Sequence, residues 1–163
     1  MFRIPFSGLS LGHHSFEFRV DDAFFTTFDY DEFSDCNITV QVDLEKTERF
    51  LKLDFQFNGR CFVPCDRCLD PVQIPIHHSE TLIVNFGTET DFDSEVWTVS
   101  PKEHELILDR FIYETLVLQR PFSVMHDIKD CNPDMLAKLQ APTQPKTEDP
   151  RWDTLKALKN LGN

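Results

Sequence analysis

The sequence predicts an α+β fold: an antiparallel β-meander, a partly closed sheet covered by one main helix, with a Cys-x-x-Cys knuckle at one hairpin end and a C-terminal helical tail. Three observations carry that reading. Apolar and polar residues alternate strictly over positions 38–44 and again over 51–57. A helix-period apolar stripe follows a helix-start signal near residue 100. Cys65 and Cys68 have the spacing of a metal-binding turn, and three of the five cysteines fall within residues 61–68.

The 163-residue chain is long enough to bury one sizeable core. Hydrophobic residues make up 40%, and 16 of the residues are phenylalanine, so the core should be Phe-rich. Sixteen basic against 28 acidic residues give a net charge of −12, which repels phosphate backbones and anionic membranes and favours a basic partner. There is no apolar run of the roughly 18 residues that a membrane-spanning helix needs. Residues 1–7 lack the apolar core of a signal peptide. A cytoplasmic location is therefore expected, with neither a membrane partner nor a small-molecule substrate. An odd number of cysteines in a reducing compartment fits metal ligands or free thiols better than disulfides.

Taken in order, Phe2, Ile4 and Phe6 alternate with Arg3 and Pro5 as a short first strand. Residues 11–14 read as a turn with His13 and His14 in solvent, and Phe16, Phe18 and Val20 mark a second strand. Asp21 is an N-cap for a helical turn that turns Phe24 and Phe25 inward. Ile38, Val40, Val42 and Leu44, then Leu51, Leu53, Phe55 and Phe57, form an antiparallel pair around a charged turn at 45–48, one face buried and one wet. Asn58-Gly59 is a hairpin signal, so residues 60–63 become a third strand leading into Cys65. The strand at 72–76 extends towards Phe86, and Pro71 and Pro75 put it at an edge or a bulge. Residues 87–99 form an acidic loop with a short strand at 96–99; Asp91 and Asp93 lack a calcium-loop frame.

Ser100-Pro-Lys-Glu103 is a capping box with Pro at the first helical position. The helix it opens should run to about Leu118, bury Leu108, Phe111, Ile112, Thr115 and Leu116, and end before Pro121. His104 falls in its first turn and should be exposed. A loop then leads to a short helix near 134–139. The domain spans 1–140, a Pro-rich linker 141–150, and an amphipathic basic helix 151–163 in which Trp152, Leu155, Leu158 and Leu161 recur every three residues.

The chemistry centres on the knuckle. One tight turn aims the Cys65 and Cys68 thiolates at a common point, half of a tetrahedral zinc site. His126 and Cys131 complete a Cys3His set with no open position, which is structural rather than catalytic. Cys61 reads as a core thiol and Cys36 as a small buried hydrophobe. A thiol redox protein is the alternative use of Cys65-x-x-Cys68. It needs the first cysteine at a helix N-terminus, whereas Leu-Asp-Pro follows this motif in an antiparallel setting. There is no G-x-S-x-G, no H-E-x-x-H, and with five glycines little scope for a phosphate cradle, so no enzyme is expected and no catalytic residue is assigned. Arg151, Trp152, Leu155 and Lys156 are the candidate partner-binding residues, as a docking helix or as an RNA contact by stacking and phosphate pairing.

These stretches together resemble the YceD family, the large ribosomal RNA subunit accumulation proteins. The resemblance rests on Val63-Pro-Cys65-Asp-Arg-Cys68-Leu69, on Glu114-Thr-Leu-Val-Leu-Gln-Arg-Pro121 followed by His126 and Cys131, and on Asp149-Pro-Arg-Trp152 with Leu155-Lys156 and Leu158-Lys159. It implies a role in large-subunit rRNA accumulation, hence ribosome biogenesis, without catalytic activity. Cys65, Cys68, His126 and Cys131 sit at matching positions. Cys61 is an additional cysteine beside the knuckle and leaves the fourth ligand open between itself and His126. Acidic segments 21–35 and 88–114 suit a basic ribosomal protein or a large-subunit precursor particle, with direct rRNA binding through the C-terminal helix as the competing reading.

Overall fold

The computed structural model describes residues 1–93 and 96–140. Its strands are β1 (Arg3–Ile4), β2 (Gly12–Val20), β3 (Ser34–Lys46), β4 (Phe50–Pro64), β5 (Pro71–Phe86), β6 (Trp97–Val99) and β7 (Leu106–Ile107). Its helices are α1 (Asp22–Thr26), α2 (Asp109–Leu118) and α3 (Pro133–Gln140). A five-stranded sheet runs in the order β2-β3-β4-β5-β6, antiparallel except for the parallel β5–β6 pair; β1 and β7 form a second, two-stranded sheet. The α+β class holds, with a mixed but mostly antiparallel sheet.

The alternation read from the sequence is the burial pattern of the sheet. Ile38, Val40, Val42 and Leu44 on β3, and Leu51, Leu53, Phe55 and Phe57 on β4, are all buried, while their sequence neighbours face outward. In register, Val40 opposes Phe57 and Leu44 opposes Leu53, so apolar side chains meet across the strands on one face. Ile112 and Leu116 of α2 are buried in the same cluster, and the Phe111 ring stands 4.8 Å from Phe55 and 5.9 Å from Trp97. Asp21 caps α1 by accepting the Phe24 N–H, which turns Phe24 and Phe25 into the core. The Phe28 ring stacks on Tyr113 at 4.1 Å and ties that region to α2.

Several expectations are overturned. Residues 12–14 are not a turn: His13 and His14 belong to β2, paired with Glu45 and Leu44. Phe6 begins a 3-10 turn rather than continuing β1. Asn58-Gly59 is not a hairpin, because β4 runs unbroken from Phe50 to Pro64. Gly59 answers a different need: a Cβ there would lie 2.2 Å from the Asn37 carbonyl oxygen, beside the register shift between Ser34 and Asn37. Ser100 to Glu103 is a turn and not a helix start. Leu106, fully buried by pairing with Ile4, holds β7 extended, so the helix opens only at Asp109. His104 is exposed as expected, in the connection before β7.

β5 meets β6 only at Val84, Asn85 and Phe86, so among the described residues its Pro75 lies on a free edge. Its first residue, Pro71, opposes Pro64 and closes the ladder just beyond the knuckle. The long β4–β5 hairpin thus presents residues 65–70 at one end of the sheet.

Candidate metal centre

The knuckle is a tight turn. The Cys65 N–H donates to the Asp70 carbonyl and the Leu69 N–H to the Cys65 carbonyl, both at 2.9 Å. The segment after α2 is laced onto it. The Asp66 N–H donates to the Val124 carbonyl at 2.9 Å, and the Asp66 carboxylate accepts the Val124 N–H at 2.8 Å. The Arg67 guanidinium donates to the His126 carbonyl. Met135 and Leu136 of α3 then pack against the cysteines, which seats Cys131.

This lacing brings together the four residues that the sequence singled out. The donor atoms of Cys65, Cys68, His126 and Cys131 all lie within 4.8 Å of one another. The Cys65 and Cys131 sulfurs are 4.0 Å apart, and the Cys68 sulfur is 3.4 Å from His126 Nδ1. A tetrahedron with zinc–sulfur bonds of about 2.3 Å and zinc–nitrogen bonds of about 2.05 Å has edges of about 3.8 and 3.6 Å. These two separations lie within about 0.2 Å of those edges, and the four donors are of the types a structural zinc ion takes and close enough together to hold a metal ion. His126 Nε2 lies 3.3 Å from the Pro71 carbonyl, to which it can donate. That bond fixes the tautomer and leaves the Nδ1 lone pair facing the sulfurs.

The local field favours thiolates in the knuckle. Burial pushes the Cys65 thiol up, but the backbone N–H groups of Cys68, Arg67 and His126 outweigh it and bring it down to about 5. Cys68 also rises with burial, yet N–H groups of Asn132 and Asp70 leave it below the usual thiol range. Cys131 has no such support: burial, with the Cys68 and Cys65 sulfurs beside it, pushes it up to about 11. The hydrogen bond to Cys68 raises His126 above the usual imidazole range. A cluster that favours the thiolate at Cys65, lowers Cys68 in the same direction and resists ionisation at Cys131 gathers negative charge that a cation would neutralise.

Cys61 is not the fourth ligand. It is joined to Cys36 in a disulfide across β3 and β4, so the expectation of five metal-ligating or free thiols is corrected to one disulfide and three free cysteines. The pairing was hidden because it depends on the β3–β4 register, in which Asn37 opposes Arg60 and so Cys36 faces Cys61, and no local pattern announces that register. The sequence reading also missed the clamp made by Asp66 and Arg67; their place inside the Cys65–Cys68 loop was the signal available. Cys65 does not open a helix, as the dithiol redox reading requires. Arg151, Trp152, Leu155 and Lys156, with the proposed linker 141–150, lie outside the described residues.

No helix among the described residues is long and apolar enough to cross a membrane. A family model, Large ribosomal RNA subunit accumulation protein YceD, matches residues 53–159, from near the start of β4 through the candidate metal centre and beyond. Comparison with curated proteins and with solved structures finds no match.

Proposed function

The chain belongs to the YceD family of large ribosomal RNA subunit accumulation proteins, and from that premise we propose that it is a non-enzymatic ribosome-biogenesis factor. It supports large-subunit rRNA by holding a basic ribosomal protein, or a precursor particle that carries one. The family match over residues 53–159 is the observation that carries this reading, and the charge balance narrows it. A net charge of −12 opposes broad contact with rRNA phosphates and suits a cationic protein surface.

Some of the acids serve the fold: Asp21 caps α1, Asp22 accepts the N–H groups of Asp35 and Cys36, and Glu32 stands 3.0 Å from Arg120. Asp29, Asp31, Glu89 and Glu103 are exposed and add to the field a partner would meet. In this reading zinc, held by Cys65, Cys68, His126 and Cys131, is a staple with no catalytic part. It joins the β4–β5 hairpin to the segment leading into α3.

The test is sedimentation of the tagged full chain in lysate, with and without RNase. Co-migration with large-subunit precursors, and retention of a protein contact after RNase, is the expected result. Migration as a free protein in mild salt would overturn the reading. A contact wholly lost to RNase would shift it to direct rRNA binding through Arg151, Trp152, Leu155 and Lys156.

A further inference from the structure

The metal centre organises more than its own ligands. Among the described residues, four large apolar side chains left in solvent lie in the knuckle and in the segment that wraps it. Leu69 is 65% exposed, Met125 52% and Ile128 64%, and Phe122 is fully exposed. Adjacency along the chain and the lacing bonds hold them at one end of the molecule. Leu69 follows the ligand Cys68, Met125 precedes the ligand His126, and Phe122 lies two residues before Val124, which is bonded to Asp66.

Leu69 is the most telling. Its φ is +66°, in the left-handed region where a side chain is strained and glycine fits freely. The sequence nevertheless places a large apolar residue there, and the fold does not bury it. Strain kept at an exposed apolar position points to a use outside the molecule.

The surround has a definite charge. Asp66, Asp70, Asp127, Asp130 and Asp134 are exposed in the same stretches, against the exposed Lys129 and Lys138. Lys129 stands 4.0 Å from Asp127, Arg120 stands 3.9 Å from Asp66 while also pairing with Glu32, and Arg67 is turned inward to the His126 carbonyl, which leaves Asp70, Asp130 and Asp134 as the carboxylates with no cation paired to them among the described residues. An apolar centre with a carboxylate rim repels a phosphate backbone and suits a cationic segment with large apolar anchors.

We infer that the knuckle face is the docking surface for a basic protein segment, with Leu69, Phe122 and Ile128 meeting its apolar side chains and the aspartates its lysines and arginines. This rests on the proposed function and names the surface through which the partner is held.

The experiment places p-benzoylphenylalanine in the full chain at Phe122 or Ile128, with Ile83 as control. Ile83 is 48% exposed on β5, roughly 40 Å along the strand from Pro71. The probe is the set of proteins stripped by salt from large ribosomal subunits, together with large-subunit rRNA. The expected result is crosslinking at 122 and 128 to lysine- and arginine-rich segments of ribosomal proteins, at least fivefold above the yield at 83. A Phe122→Ser, Ile128→Ser double variant, which removes only exposed side chains, should lose at least tenfold of that binding. Crosslinks to rRNA, to residues 151–163 of the chain itself, or no higher than at 83 would overturn the inference. If the chain still sediments with precursors in that event, the proposed function survives its failure; if the unmodified chain does not sediment, the proposed function itself has failed.

Discussion

Replacing Gly59 with alanine should destabilise the protein more than any other single methyl added at a described glycine. The new Cβ would lie 2.2 Å from the Asn37 carbonyl oxygen and 2.6 Å from the Ile38 Cα. Both atoms are backbone, in a strand held on its other side by β2, so neither can swing aside as a flexible side chain would. Relief requires the β3–β4 ladder to open by most of an ångström beside its register shift. Overpacking of this kind costs about 1–3 kcal/mol, and a backbone clash belongs at the upper end. For a chain of this size about 3 kcal/mol lowers Tm by about 6–12 °C. Thermal unfolding followed by circular dichroism measures it. Gly8→Ala is the control, since nothing lies within 4 Å of its Cβ position, and its Tm should move by less than about 2 °C. Equal melting of the two variants would refute the close-approach role of Gly59.

Three further outcomes follow from the same structure. Asp66→Ala removes the acceptor of the Val124 N–H, a local cost of about 1–3 kcal/mol; hydrogen exchange at Val124 should accelerate by about fivefold or more while β3 and β4 stay protected, and unchanged exchange would contradict the clamp. Reduction of Cys36–Cys61, or Cys61→Ser, frees a 25-residue separation that the chain-entropy model values at about 3.5 kcal/mol; Tm should fall by about 7–14 °C, and a melt indifferent to reductant would count against the bond. Burial first, and then the Glu32 carboxylate, push the Tyr30 phenol up to about 12. A raised phenol stabilises the fold fully below its unfolded pKa near 10 and loses that contribution as pH rises through 12, so Tyr30→Phe should flatten the alkaline loss of stability, and the 295 nm titration should show one late tyrosine that the variant lacks.

What the sequence made legible is what local chemistry determines. The period of two along β3 and β4 is a direct image of a half-buried sheet, and the Asp21 cap needs only three residues to declare itself. The four clustered donors, Cys65, Cys68, His126 and Cys131, were legible for a different reason. Soft donors in a C-x-x-C turn, followed by a histidine and a cysteine, have few other uses together, so their chemistry stood in for the missing distance information. The failures share a non-local cause. Asn58-Gly59 carries the same letters whether it turns a hairpin or lets a neighbouring backbone approach, and only the position of Asn37 decides. The Ser100 capping box is locally sound, but burying Leu106 against β1, more than a hundred residues away in sequence, outweighs it. Cys36 and Cys61 meet only once β3 and β4 are in register.

The metal content of the full chain, purified under reducing conditions without added metal, tests the centre most directly. One zinc per chain is expected, falling below a tenth in Cys65→Ser and in Cys131→Ser, with loss of amide protection in α3 and none in β3. A metal-free wild-type chain whose α3 amides are as well protected as those of β3 would contradict the staple, and the four donors would then be a buried cluster held by packing alone.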